Sequence, residues 1–225
     1  MSEILKDEEM VAVKVWDWET RILHWINAAL IIALMILALG NEALHDLGVQ
    51  KSLRKEIWYY HVYVGYIFIF TFFLRLIWGF IGNRYARWTD INPFTREKLG
   101  YVVHKIKWYL GGFRGDLPKY LGHDPLGSLF YISVFIIILL TIVTGVILAG
   151  AELHLSPWQG FFSGFAHDTL EVIEEGAEEL HEFGFYFIVF FLFAHLGAII
   201  VHELKERSGL LSSMVHGSKY FPKDR

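Results

Sequence analysis

The chain has 225 residues, of which 54% are hydrophobic and 17% aromatic, with a mean hydropathy of +0.39 and a net charge of −4. So much apolar surface is not that of an ordinary soluble domain, and it has to be segregated into long runs. Cysteine is absent, which excludes disulfides, cysteine-ligated iron–sulfur clusters and covalently attached haem.

Four apolar runs follow in chain order, at residues 22–39, 57–81, 126–149 and 183–201; only the second carries a formal charge, Arg75. Each is long enough to cross a hydrocarbon core of about 30 Å as a helix rising about 1.5 Å per residue. In lipid a lone segment must satisfy its own backbone hydrogen bonds, so helices are expected. The first run follows Trp16, Asp17, Trp18 and Glu19 and lacks a small-residue cleavage site; it reads as a retained helix and not a signal peptide. The expected fold class is therefore all-α and integral to the membrane: a four-helix transmembrane bundle. Residues 1–225 form one domain, with helices at about 20–40, 57–81, 126–149 and 168–204.

Charge sets the expected orientation. Lysine and arginine gather in the N-terminal segment (Lys6, Lys14, Arg21), in the loop between the second and third runs (Arg84, Arg87, Arg96, Lys98, Lys105, Lys107, Arg114, Lys119) and in the tail (Lys205, Arg207, Lys219, Lys223, Arg225). None lies between Lys119 and Lys205. The positive-inside rule places both termini and the central loop in the cytoplasm. Lys51, Arg54 and Lys55, on the outer side, are outvoted. The basic, aromatic stretch 95–110 predicts an interfacial amphipathic helix on an anionic leaflet, the alternative being a loop helix that touches no lipid.

The outer loop before the fourth run is acidic, with Glu152, Asp168, Glu171, Glu174, Glu175, Glu178, Glu179 and Glu182. Asp168 followed by Glu171 is a capping-box pattern, so the fourth helix should begin outside the membrane near Asp168, with Gly176 a point where it could bend.

Four histidines sit in or beside the runs, where an ionisable group is costly and marks function by default: His24, His61, His181 and His195. His181 and His195 are fourteen residues apart, about 40° short of four full turns and about 21 Å along the axis, so one helix face offers a ligand near each surface. His61 falls at the depth of His181 and His24 at that of His195. The expected pairs are His61 with His181 outside and His24 with His195 inside. His202, seven residues beyond His195 on the same face, is an equally placed partner for His24. The other six histidines are expected at the surface. Two imidazoles without a carboxylate or thiol are too few for a protein-only zinc site, but they suit a haem, which supplies four ligands and needs two axial ones. Gly65, Gly184, Gly197 and Ala28 beside the four histidines would leave room for a ring, and Trp25, Tyr66 and Phe193 could pack on its edges. Arg75, fourteen residues past His61, lies at the inner level; it would either pair with a haem propionate or snorkel to the surface.

The segment VKVWDWETRILHWINA (13–28), His61 with Gly65, RLIWGFIGNRYARW (75–88), LGHDPLGSL (121–129) and ELHEFGFYFIVFFLFAHLGAIIVHEL (179–204) together resemble the bacterial four-helix di-haem cytochromes b, a group that includes the b-type subunit of nickel–iron hydrogenases. The resemblance covers nearly the whole chain. It implies two haem b, with His24 (in the RxxHW motif), His61, His181 and His195 as axial ligands, which selects His195 over His202. It also implies a place in the bacterial cytoplasmic membrane. There the chain would be the electron-transfer subunit of an oxidoreductase complex, moving electrons between membrane quinone (menaquinone or ubiquinone) and a periplasmic partner. The short loops resemble the members associated with a c-type cytochrome more than the hydrogenase subunits. Lipid is a partner and nucleic acid is not. The acidic outer segment could dock a lysine-rich partner, or simply keep the helix end solvated. Two other readings stay open: a stand-alone quinone-linked oxidoreductase acting on a small oxidant such as superoxide, and a haem-free transporter or scaffold.

Overall fold

A computed structural model describes residues 10–112, 114, 120–206 and 209–223. Lys6, Lys119, Arg207 and Arg225, used above to orient the chain, lie outside the described residues. The elements in order are strand β1 (Met10–Lys14), helices α1 (Trp18–Asp46) and α2 (Lys51–Ile81), a 3-10 turn (Arg84–Ala86) and helices α3 (Trp88–Ile91), α4 (Arg96–Leu110), α5 (Pro125–Ala151), α6 (Gln159–Phe162), α7 (His167–Glu206) and α8 (Leu210–His216), then strand β2 (Ser218–Pro222). Four of these, α1, α2, α5 and α7, are long and apolar enough to cross a membrane. α7 is 40 residues long and runs unbroken through Gly176. The chain divides into two compact units, one made of Leu23–Leu76 and Phe130–Leu192, the other of the chain up to Ile22, Ile77–Leu129 and Phe193 onward.

In the first unit, segments of all four long helices meet. Phe68 and Phe72 of α2 and Val134 and Ile138 of α5 are buried, ringed by Leu30, Ile31 and Leu34 of α1 and Phe187, Ile188 and Phe191 of α7. Ile36, Phe70, Ile136 and Phe190 are all about 60% exposed. A soluble protein would not leave so many large apolar side chains uncovered, whereas lipid tails solvate them. Because lipid is as apolar as leucine, polar pairs and close packing add what hydrophobicity does not. Thr71 Oγ1 lies 2.9 Å from Asn27 Oδ1, joining α2 to α1. Asn41, 1% exposed, donates through Nδ2 to the Arg54 carbonyl at 2.6 Å and closes the α1–α2 connection.

The second unit joins the first and last described segments. β1 and β2 pair antiparallel, from Met10 opposite Pro222 to Lys14 opposite Ser218, a short ribbon that hydropathy alone gave no reason to expect. Just past it, the Val15 and Trp16 N–H groups donate to the Gly217 carbonyl at 2.8 and 2.9 Å. Gly217 has φ +89°, and a Cβ there would stand 2.6 Å from the Trp16 carbonyl oxygen, so the turn admits only glycine. Asp17 caps α1 by accepting from Thr20 N–H at 2.9 Å, and its other oxygen accepts from Asn83 N–H at 3.2 Å.

α4 begins at a Thr95 cap, whose Oγ1 accepts from Lys98 N–H. One face buries Val102, Lys105 and Trp108. The opposite face exposes Leu99, Val103, Ile106 and Leu110, an apolar stripe at helical spacing flanked by His104 and Lys107. Such a stripe is what an interfacial helix lays on lipid. Lys105 Nζ meets Asp124 Oδ1 at 3.0 Å, with the lysine side chain 3% exposed. The same Asp124 oxygen accepts from the Leu126 and Gly127 N–H groups and caps α5. Burial works against ionisation of Asp124. Lys105, then the Gly127 N–H, outweigh it and hold the carboxyl below its usual range.

Candidate haem site

His61, on α2, and His181, on α7, come together in the first unit. Their ring centroids are 6.2 Å apart, with the planes at 67°. A metal bonds an imidazole nitrogen at about 2 Å and the ring centroid lies roughly 1.1 Å behind it, so two imidazoles sharing one metal from opposite sides would stand about 6.2 Å apart. The observed separation fits that requirement. The donor set fits as well, with two imidazoles and no carboxylate or thiol in the pair.

The surroundings of the two rings differ. Trp58, one turn before His61, stands edge-on to it at 5.5 Å. The backbone of Leu34 lies beside the His61 ring, but its buried Nδ1 makes no hydrogen bond of ordinary geometry among the described residues. His181 Nδ1 lies 3.1 Å from Thr144 Oγ1 on α5. Neither Thr144 nor its neighbour Gly145 was singled out in the sequence. The available signal was two threonines three residues apart, Thr141 and Thr144, in the apolar second half of the third run.

Gly65, one turn past His61, has open space where a side chain would be, and so does Gly197 beside His195; both positions leave room for a ring. Gly184 does not serve that purpose. A Cβ there would stand 2.0 Å from Thr141 Oγ1, so this glycine brings α7 close against α5. Small residues at a crossing of membrane helices let the backbones approach closely.

His24 belongs to the first unit and His195 to the second. His24 is half-buried, its ring edge-on to Trp25 at 5.0 Å. His195 is also half-buried. His202 is 8% exposed, with its Nε2 2.8 Å from the Tyr109 hydroxyl and its ring stacked on Trp108 at 6.2 Å and 23°. α4 thus engages the rival histidine through two aromatic side chains. Arg75 is 6% exposed, so it does not snorkel; its guanidinium lies over the rings of Tyr131 at 5.5 Å and Phe135 at 6.0 Å. Of the expected edge aromatics, Phe193 is 72% exposed, and Tyr66 donates through its hydroxyl to the Ser156 carbonyl at 3.1 Å.

Five of the remaining histidines, His45, His104, His154, His167 and His216, are exposed. His123 is not at the surface as expected: it is half-buried, its ring 5.0 Å from Trp16. On the acidic segment that opens α7, Asp168, Glu171, Glu175, Glu178, Glu179 and Glu182 are exposed. Desolvation, and then the carboxylates of Glu178 and Glu174, push the Glu152 carboxyl above its usual range, with Lys51 acting against them.

Residues 15–217 match the family model described as prokaryotic cytochrome b561. The chain is 27% identical over 227 residues to the "Probable Ni/Fe-hydrogenase B-type cytochrome subunit" of Azotobacter vinelandii, covering 98% of this chain and 93% of the relative. It is 28% identical to the subunit of the same name from Bradyrhizobium diazoefficiens, over 93% of this chain and 86% of the relative. It is 23% identical to the "Probable Ni/Fe-hydrogenase 1 B-type cytochrome subunit" of Escherichia coli K12, over 94% and 92%. No solved structure matches the chain.

Proposed function

The chain belongs to the prokaryotic cytochrome b561 family, multi-pass proteins of the bacterial inner membrane, and from that membership we propose that it carries electrons across the membrane between membrane quinone and a periplasmic redox subunit, holding two haem b. His61 and His181 hold the outer haem, and His24 and His195 the inner one. Arg75 faces an inner-haem propionate. Residues 1–225 act as one transmembrane domain with both termini in the cytoplasm. When bound, haem b supplies a one-electron iron couple. The protein contributes ligation, apolar burial that excludes water, and fixed spacing of the sites.

The observation that carries this reading is the His61–His181 pair, whose 6.2 Å ring separation matches two axial ligands of one metal. The engagement of His202 by Tyr109 and Trp108 supports His195 as the inner ligand. Because the relatives are named as hydrogenase subunits, a hydrogenase-like partner is the first reading, with a c-type cytochrome second. The exposed acids of α7 lie on the same helix as His181 and give either partner an electrostatic landing site.

The test is haem content per chain, with reduced-minus-oxidised spectra, in the purified protein and in His61→Ala and His181→Ala. The wild type should hold two haem b and each variant one. A wild type without a b-type band, or variants that keep both haems, would refute the assignment. Turnover of a small oxidant such as superoxide by the isolated chain, without a protein partner, would point instead to a complete enzyme.

A further inference from the structure

The outer histidine pair is backed by a helix that contributes no ligand of its own. We propose that α5 positions the outer ligand, with Thr144 fixing His181 in its Nδ1–H form and Gly145 giving the imidazole room to lie against the helix. This rests on the reading of His181 as a haem ligand.

Thr144 is 2% exposed. Its Oγ1 lies 3.0 Å from the Leu140 carbonyl oxygen and 3.1 Å from that of Thr141. Both carbonyls only accept, so one of them takes the single hydroxyl proton. The hydroxyl oxygen then presents lone pairs to His181 Nδ1, 3.1 Å away. A ring nitrogen facing such an acceptor carries the proton, which leaves Nε2 as the lone-pair nitrogen that a metal requires.

Gly145 adds an independent steric constraint. A Cβ there would stand 3.0 Å from His181 Cε1 and 3.5 Å from Nδ1. The imidazole edge therefore rests where a side chain would otherwise be, and any larger residue pushes on the carbon between its two nitrogens. Thr141, one turn earlier, meets Gly184, which follows His181 by three residues. The three positions 141, 144 and 145 thus hold one turn of α7 at a set height and one imidazole at a set tautomer and tilt.

Donation from Nδ1 to an acceptor makes the other nitrogen a stronger electron donor. A stronger axial donor favours the oxidised metal and lowers its potential. The outer haem's potential is then set in part by a threonine on a helix that never touches the iron.

The test is a redox titration and a ferric low-spin EPR spectrum of the full chain in mild detergent, for wild type, Thr144→Val, Thr144→Ser, Gly145→Ala and His181→Ala. Thr144→Val keeps the shape and removes the acceptor; it should retain both haems and shift one potential upward. Thr144→Ser restores the acceptor and should return that potential to the wild-type value. Gly145→Ala should alter or abolish one low-spin signal and leave the other unchanged. A Thr144→Val protein with wild-type potentials and spectrum overturns the proposal, as does a Thr144→Ser protein shifted as far as the valine variant. If valine prevents assembly, the Ser and Ala variants at 144 replace it: a shift in Ala alone supports the hydroxyl's role, and equal behaviour overturns it. His181→Ala separates the two levels. If it keeps both haems, the ligand assignment falls and the inference with it. If it loses one haem while Thr144→Val is silent, only the positioning role falls.

Discussion

Replacing Gly184 by alanine tests how α5 and α7 set the height of His181. The new Cβ would lie 2.0 Å from Thr141 Oγ1, 3.2 Å from its Cβ and 3.4 Å from its Cγ2. Non-bonded carbon atoms are most stable at about 3.5–4.0 Å, so roughly 1.5 Å must be found between these two side chains. Thr141 has little freedom to give way, because its hydroxyl donates to the Ile137 carbonyl at 2.8 Å. Either that bond breaks and the side chain rotates, or the helices part. Overpacking of this kind costs about 1–3 kcal/mol. Since residue 184 is one turn past His181, the same displacement draws the imidazole away from Thr144. Gly184→Ala should therefore lower the thermal stability of the haem-loaded protein and deplete one haem. Thr141→Ala removes the Oγ1 conflict and leaves a closest approach of 3.2 Å, so the double variant should recover most of the loss. The assay is thermal unfolding with haem content across the double-mutant cycle. Additive losses, with no rescue by Thr141→Ala, would refute this packing.

Three further outcomes are expected. Asp124→Asn keeps an N-cap for α5 but leaves the Lys105 ammonium buried without its counter-ion, costing about 3 kcal/mol. Because the folded-state carboxyl lies below its usual range, its stabilisation is complete above the unfolded pKa of about 3.9 and is lost as pH falls through the lower folded value. The gap in melting temperature between wild type and variant should narrow only in strong acid, and a gap independent of pH would contradict the ion pair. His202→Gln should keep both haems while His195→Gln loses one, read from haem content; the reverse pattern would make His202 the ligand. Converting Glu171, Glu175, Glu178 and Glu179 to glutamine should slow electron exchange with a basic periplasmic partner at low ionic strength and flatten its salt dependence. A rate and salt profile matching the wild type would mean that these acids only solvate the helix.

By itself the sequence determined the membrane class and the number of crossings, because an apolar run of eighteen or more residues with at most one charge has few other stable states than a spanning helix. It also determined that one helix presents histidines fourteen residues apart on one face, since helical periodicity is a local property. The amphipathic character of α4 was written in the mixture of basic and apolar residues from Thr95 to Leu110. Which helix stands behind which histidine was decided only by tertiary structure. Thr144 against His181 and Thr141 against Gly184 join residues 37 and 43 positions apart, and no periodicity within either run reveals the partner. The same limit explains why Gly184 reads as clearance for a ring when its space is filled by Thr141. It explains as well why His202 looks equivalent to His195 until Tyr109 and Trp108 engage it, and why the ribbon joining Met10–Lys14 to Ser218–Pro222 goes unseen. Periodicity along a helix fixes the face on which a side chain lies. Only the packing of helices and termini fixes what that face meets, and here those meetings bring His61 to His181 and His202 to Tyr109 and Trp108.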